Sequence, residues 1–231
     1  PARRSVFTHI EDNISDGHYD REKVLIVIHP QYRNVWYWLI PFSNGRCSLG
    51  VVAEDSYFAE LGLEENSDII KASVEASPEL SLLLHHACYD TEVRSIAGYS
   101  SDVTSLWGNG YALLGNAGEF LDPVFSSGVT IAMKSASLAA PLVSRQLKGG
   151  KVDWQSEYAV PLKRGVDTFR AFVDSWYQGS LQRIIFSENQ SPVIREMLCS
   201  ILAGYAWDEG NPFVQEPERR LRALAEICAT V

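Results

Sequence analysis

The residues most able to do chemistry lie in one run, Gly115-Asn116-Ala117-Gly118-Glu119-Phe120-Leu121-Asp122-Pro123-Val124-Phe125-Ser126-Ser127-Gly128. An apolar stretch, Tyr111 to Leu114, precedes it, and a run rich in small residues follows. That order predicts a strand, a glycine-bearing loop and a helix start. A helix start leaves backbone N–H groups without partners and carries the positive end of the helix dipole, so an anion or an electron-rich ring edge could dock there. The same residues also suit a tight connection whose glycines serve only the turn. Glu119 and Asp122 could form an acid/base pair, although two carboxylates beside a loop are more often solvated. Ser126 and Ser127 have no nearby base and no nucleophile-elbow context, so the hydrolase reading fails on motif grounds.

The elements that must position this run divide by periodicity. Ser5 to Ile10, Lys23 to His29, Val35 to Phe42 and Arg46 to Ala53 have period two and predict strands. Asn44-Gly45 between the last two predicts an antiparallel hairpin with a type I′ turn. Tyr57 to Leu61, Ser67 to Ala76 and Pro78 to Ala87 read as helices, with Ser67 and Ser77 as N-caps and Pro78 at the first helical position. Glu92 to Tyr99 and Gly110 to Leu114 return to strand character and are expected to rejoin the first sheet, with Asn109-Gly110 as a tight turn. Gly128 to Leu147 reads as a helix whose small residues Ala132, Ser135, Ala136, Ala139 and Ala140 permit close packing, with Pro141 as a kink and Gly149-Gly150 as its end. Beyond it, helices are predicted over 154–178 with a break at Pro161, over 181–186, 192–203 and 217–229.

Composition narrows the classes. The chain has 231 residues, 46% hydrophobic and 21% charged, with net charge −9, values typical of a folded globular protein. Nucleic acid is a poor partner because no Lys/Arg-rich run is present. The longest apolar stretches are strand-sized, so no membrane span is expected. No signal sequence is seen, and a cytoplasmic location follows by default. Cys47, Cys88, Cys199 and Cys228 stand apart among apolar neighbours and read as buried free thiols. His9, His18, His29, His85 and His86 lack zinc-ligand spacing, so no metal site is expected.

Two motifs resemble a known family. Gly115 to Gly128 is similar to the second FAD motif of the flavin-dependent halogenases and their para-hydroxybenzoate-hydroxylase-like relatives, where G-D/N-A leads into D-P-x-x-S-S/T-G. Trp36-Tyr37-Trp38-Leu39-Ile40-Pro41 resembles their W-x-W-x-I-P signature, and Cys47 to Val52 fits the S-x-G-V-V strand that accompanies it. A weaker echo is the stretch from Gly204 to Phe213, which ends in Asn211-Pro212-Phe213. The resemblance implies that Asn116 approaches the FAD ribose, that Pro123 and Ser126 to Gly128 line the isoalloxazine ring with Asp122 also in the cofactor-binding set, and that amides of Ser127 and Gly128 hold halide. It also implies that Trp36 and Trp38 wall the flavin site; both share a strand face and would serve equally as core packing. A helix start beside a reduced flavin would stabilise its charge by roughly a few tenths to 2 kcal/mol.

Departures bear on the reading. The family's opening strand and G-x-G-x-x-G pyrophosphate segment have no counterpart here, so the chain is expected to correspond to a family C-terminal half. Phe125 stands where tryptophan-specific members carry glutamate, which favours a phenolic, pyrrolic or carrier-bound acceptor.

The resulting expectation is an α+β fold: a largely antiparallel sheet, a helical layer and a helical C-terminal region. Residues 1–150 would form a sheet-containing flavin-edge and substrate domain, and 151–231 a helical region packed on it. The activity would be FAD-dependent oxidation of an electron-rich aromatic, with chloride or bromide as co-substrate in a halogenase. Catalytic residues would be Trp36, Trp38 and Ser127. Partners would be a small aromatic substrate, free or carrier-bound, and a separate flavin reductase or an N-terminal FAD-binding segment. The alternatives are a non-catalytic binding or structural domain and a geranylgeranyl-reductase-like flavoprotein.

Overall fold

The computed structural model describes residues 3–15, 17–188 and 191–229. The chain divides into two compact units, Pro1–Tyr99 and Ser100–Val231. The division therefore falls at Tyr99 and not near residue 150.

In the first unit, β1 (Arg4–Glu11), β2 (Leu25–Ile28), β3 (Trp36–Pro41), β4 (Arg46–Ala53) and β5 (Arg94–Ala97) form one antiparallel sheet in the order β2-β3-β4-β1-β5. Helices α1 (Asp55–Leu61), α2 (Asn66–Glu75) and α3 (Pro78–Leu83) lie between β4 and β5 in sequence. Side chains alternate across a pleated strand. One sheet face accordingly sends Val6, Ile10, Tyr37, Leu39, Leu49 and Val51 into a core with Phe58, Ile69, Ile70 and Leu80 of the helices. Each such side chain contributes about 1.5–3 kcal/mol through burial. The opposite face carries Phe7, Trp36, Trp38, Gly50 and Val52, which the β1-β4 and β3-β4 registers bring side by side.

Three local expectations need correction in this unit. The β3-β4 turn is not type I′, because that turn requires positive φ at both central residues, and only Gly45 (φ 80°) has it. Phe42 N–H instead donates to Arg46 O at 2.8 Å, closing a three-residue loop in which Gly45 takes the left-handed position. Ser67 lies inside α2, whose cap position is Glu65. α3 ends at Leu83, short of Ala87.

The second unit holds two short ribbons and six helices among the described residues. Strand β6 (Ser101–Asp102) pairs with β9 (Glu119–Phe120), and β7 (Trp107–Gly108) with β8 (Tyr111–Ala112). The Tyr111 strand thus does not rejoin the five-stranded sheet, since the turn at Asn109-Gly110, with Gly110 at φ 84°, returns it at once onto Trp107-Gly108. The helices are α4 (Ser127–Leu147), α5 (Val160–Tyr177), α6 (Ser180–Ile185), α7 (Pro192–Leu202), α8 (Pro212–Gln215) and α9 (Pro217–Ala229), with α8 absent from the sequence-based expectation. Pro161 falls in the first turn of α5, directly after a π-helical turn, Gln155–Ala159, that runs into it without a break. Buried Leu162, Val166, Phe169, Val173 and Trp176 recur on α5 at helical spacing. That stripe makes α5 the centre of the unit, packed by α4, α6, α8 and α9. No helix among the described residues is long and apolar enough to cross a membrane.

Candidate functional site

Asp122 anchors the loop between β8 and α4. Its carboxylate, 4% exposed, accepts from Val124 N–H at 3.0 Å through Oδ1 and from the Tyr177 hydroxyl at 2.9 Å through Oδ2. The first bond caps a short 3₁₀ turn, Pro123–Phe125. Ser126 then takes a left-handed conformation, φ 51°, and α4 begins at Ser127. The Ser126 side chain caps no amide. The first-turn N–H groups of this 21-residue helix therefore lack intrahelical acceptors, and its positive dipole end sits at Ser127 and Gly128.

Glycine is required where the loop meets α4. Gly115 has φ 52°, and a Cβ there would lie 2.9 Å from Ala132 Cβ. Its N–H donates to Ser135 Oγ at 3.0 Å, and Ser135 Oγ donates to Ala132 O at 2.8 Å. Ala132 and Ser135 thus supply the close approach that the small residues of this helix imply. At the other end of the loop, a Cβ on Gly128 would meet Asn116 Oδ1 at 3.5 Å and Phe120 Cε2 at 3.9 Å. Exposed Asn116 and the helix start are therefore neighbours, and Asp122, Pro123, Ser126 and Ser127 follow in one continuous turn.

Glu119 and Asp122 are buried, contrary to the expectation of two solvated carboxylates. Glu119, 8% exposed, forms an ion pair with Arg170. Burial pushes its carboxyl above the usual range, and the Arg170 guanidinium only partly opposes that. Arg170 and Tyr177 stand seven residues apart on α5, two helical turns, so one helix face holds both loop carboxylates. Sequence reasoning missed this pair of partners, which lie 51 and 55 positions from the residues they hold. Their helical spacing is the one signal that could have found them.

In the first unit, Trp36 and Trp38 lie with ring centroids 5.9 Å apart. Trp36 is buried and Trp38 half-buried. Trp38 Nε1–H donates to Ser48 Oγ at 3.1 Å, and a Cβ on its cross-strand partner Gly50 would lie 2.2 Å from the indole Cζ2. Ser48 receives the indole N–H and Gly50 lets the ring lie flat, so the two motif strands complete one another. Phe7 packs beside the same indole, centroids 6.1 Å apart.

The other candidate groups are structural. Asp12, 2% exposed, accepts from Arg21 Nη1 at 3.0 and 2.9 Å, from Cys47 Sγ at 2.9 Å and from Ile14 N–H at 3.1 Å. Burial pushes the Asp12 carboxyl up, but the hydrogen bonds from Cys47, Ile14 and Arg21 together hold it below its ordinary value. Arg21 is thereby tied to a buried carboxylate. Of the four cysteines expected to be buried, only Cys47 is; Cys88 and Cys199 are exposed and Cys228 is half-buried. Among the described residues no group of three or more His, Cys, Asp or Glu side chains is placed to hold a metal ion.

Residues 32–185 match the family described as tryptophan halogenase. The 1H-pyrrole-2-carbonyl-[peptidyl-carrier protein] brominase of Pseudoalteromonas luteoviolacea (strain 2ta16) is 30% identical over 198 residues, covering 79% of this chain and 44% of that protein. A flavoprotein/dehydrogenase from Cytophaga hutchinsonii superposes with TM-score 0.92 at 39% identity, covering 100% of this chain and 56% of that one. A flavin-dependent brominase, Bmp2, superposes with TM-score 0.79 at 25% identity, covering 98% and 55%. The chain thus spans about half the length of these relatives. The family match covers both motif strands of the sheet, the loop from Gly115 to Gly128 and all of α5, and the chain belongs to the tryptophan halogenase family.

Proposed function

We propose that this chain forms the flavin-edge and acceptor-facing part of an FAD-dependent halogenase acting on an electron-rich aromatic, phenolic or pyrrolic, free or carrier-bound. The observation that carries the reading is the uncapped start of α4 immediately after the Asp122-Pro123 anchor. The residues fit the group: the amides of Ser127 and Gly128 are donors for a negatively polarised ring edge, and the absence of a Cβ at Gly128 keeps that edge open beside Asn116. When bound, reduced FAD would activate O₂, and that O₂ would supply the two-electron oxidation that turns halide into an electrophile.

The chain's own residues bind and orient. Asp122, locked by Val124 N–H and Tyr177, fixes the direction of Pro123 and of the helix start. Asn116 would hold the ribose, and Pro123 with Ser126, Ser127 and Gly128 the ring, while Ser127 and Gly128 amides would hold halide. Trp36 and Trp38 would exclude water and bulky acceptors from the oxidising end. The pyrrolyl carrier-protein acceptor named for the brominase relative is the first substrate class to test.

The purified chain is to be incubated with FAD, desalted and its visible spectrum recorded, and then supplied with reduced FAD, bromide and a panel of phenols and a pyrrole-2-carbonyl thioester. Retained flavin bands and a bromine isotope pattern in the product support the reading. A chain that retains no flavin is a binding or structural module, whereas one that retains flavin and hydroxylates or reduces its acceptor without bromination is another kind of oxidoreductase.

A further inference from the structure

A cavity of about 190 Å³ lies in the second unit, bounded by the β6-β9 ribbon, residues 103–106 and helices α4 and α5. Leu106, Ile131, Leu162 and Val166 make its apolar walls. For scale, a dry cavity of about 150 Å³ accommodates benzene, so one six-membered ring with a short substituent fits.

The polar lining is unusual. Asp102 and Glu119 are direct cross-strand partners in an antiparallel pair, a placement in which like charges repel. One guanidinium serves both: Arg170 is paired with Glu119 and lies 3.9 Å from Asp102. The lining's own cation, Lys163, is paired with Asp167 at 2.8 Å. Gln155 Oε1 is taken by Trp107 Nε1 at 3.1 Å. Lys163 also acts on Glu119 through space, but with its partner Asp167 counted, three carboxylates stand against two cations and one negative charge is left over. Glu119 Oε2 accepts no hydrogen bond among the described residues, although the side chain is nine-tenths buried. A ligand donor placed there would satisfy that oxygen and offset the cross-strand repulsion.

We propose that this cavity binds a single-ring compound bearing an ammonium group, with the ring against Leu106, Ile131, Leu162 and Val166 and the ammonium between Glu119 and Asp102. The site is formed by the second unit's own residues and stands independently of the flavin reading.

The test uses the whole chain without FAD at neutral pH. Benzylamine, benzyl alcohol and sodium benzoate are titrated separately, with binding followed by calorimetry and by amide shifts in NMR. A ligand of this size making one charge-assisted contact is expected to saturate one site with a dissociation constant on the order of 1 mM. Benzyl alcohol should bind about tenfold more weakly and benzoate not at all, because the charged contact is the stronger kind of hydrogen bond. Glu119→Gln and Asp102→Asn should each weaken benzylamine about tenfold while leaving benzyl alcohol unchanged. Asp102 is exposed, so its variant keeps the test valid if Glu119→Gln unfolds. Val160→Trp, at an exposed lining position, should weaken both ligands. Absence of saturable benzylamine binding overturns the proposal, as does binding that both carboxylate variants leave within about twofold of wild type. Because FAD is absent throughout, failure here leaves the flavin reading untouched, and loss of flavin binding elsewhere leaves this site standing.

Discussion

Replacing Gly50 by alanine tests the packing of Trp38. A Cβ at residue 50 would stand 2.2 Å from Trp38 Cζ2 and 2.5 Å from Cε2, where ordinary carbon contacts begin near ~3.5 Å. The indole must therefore move by roughly 1 Å or the strands must part. Overpacking of this kind costs about 1–3 kcal/mol. Moving the indole also breaks its 3.1 Å hydrogen bond to Ser48 Oγ, worth about 0.5–1.5 kcal/mol net. Trp38 is half-buried and can relieve part of the strain by swinging outward, so a total of about 1.5–3 kcal/mol is expected. For a protein of this length that is a fall in Tm of roughly 3–12 °C. Thermal unfolding by circular dichroism reads the shift, and tryptophan emission reads the displaced ring. Ser48→Ala is the control, since it removes only the hydrogen bond and should cost about 1 kcal/mol. If Gly50→Ala melts within about 1 °C of wild type with unchanged emission, the ring does not lie on Gly50 and the account of the strand motif fails.

Three further outcomes follow from the geometry. Gly165→Ala on α5 should destabilise, reversing the usual gain of about 0.5–1 kcal/mol for alanine in a helix, because a Cβ there would meet the Trp207 indole at 2.1 Å; urea unfolding gives the sign. Gly115→Ala should cost about 1–3 kcal/mol in the same assay, from a left-handed φ of 52° and a 2.9 Å approach to Ala132 Cβ; a loss under about 0.5 kcal/mol would refute the close loop-helix contact. The Asp12 carboxyl is held below its ordinary value in the fold, so its contribution is complete above the ordinary aspartate pKa near ~3.9 and is lost as pH falls through the folded value. Wild type should therefore lose stability more steeply than Asp12→Asn below pH ~4, and parallel acid-unfolding curves would contradict that.

What could be read from the amino acids was local. Period-two runs placed the four leading strands, because alternation of apolar residues is imposed by the pleat itself, and β4 matches Arg46–Ala53 to the residue. The run of small residues after the Asp-Pro loop placed the start of α4 within one residue, at Gly128 against the observed Ser127. Glycine at 115 and 128 was legible as freedom to turn, and the small residues of α4 as room for approach.

The tertiary structure alone decided the partners. Nothing near Glu119 or Asp122 announces Arg170 or Tyr177, and their burial, which overturns the reading of two solvated acids, depends on α5 folding back across the loop. The same holds for Gly50, whose reason is an indole on the neighbouring strand, and for Asp102, which sequence reading passed over until the β6-β9 pairing set it against Glu119. Propensity and capping are set by neighbours a few residues apart, whereas hydrogen bonds between residues fifty positions apart form only when packing of the apolar faces has brought them together.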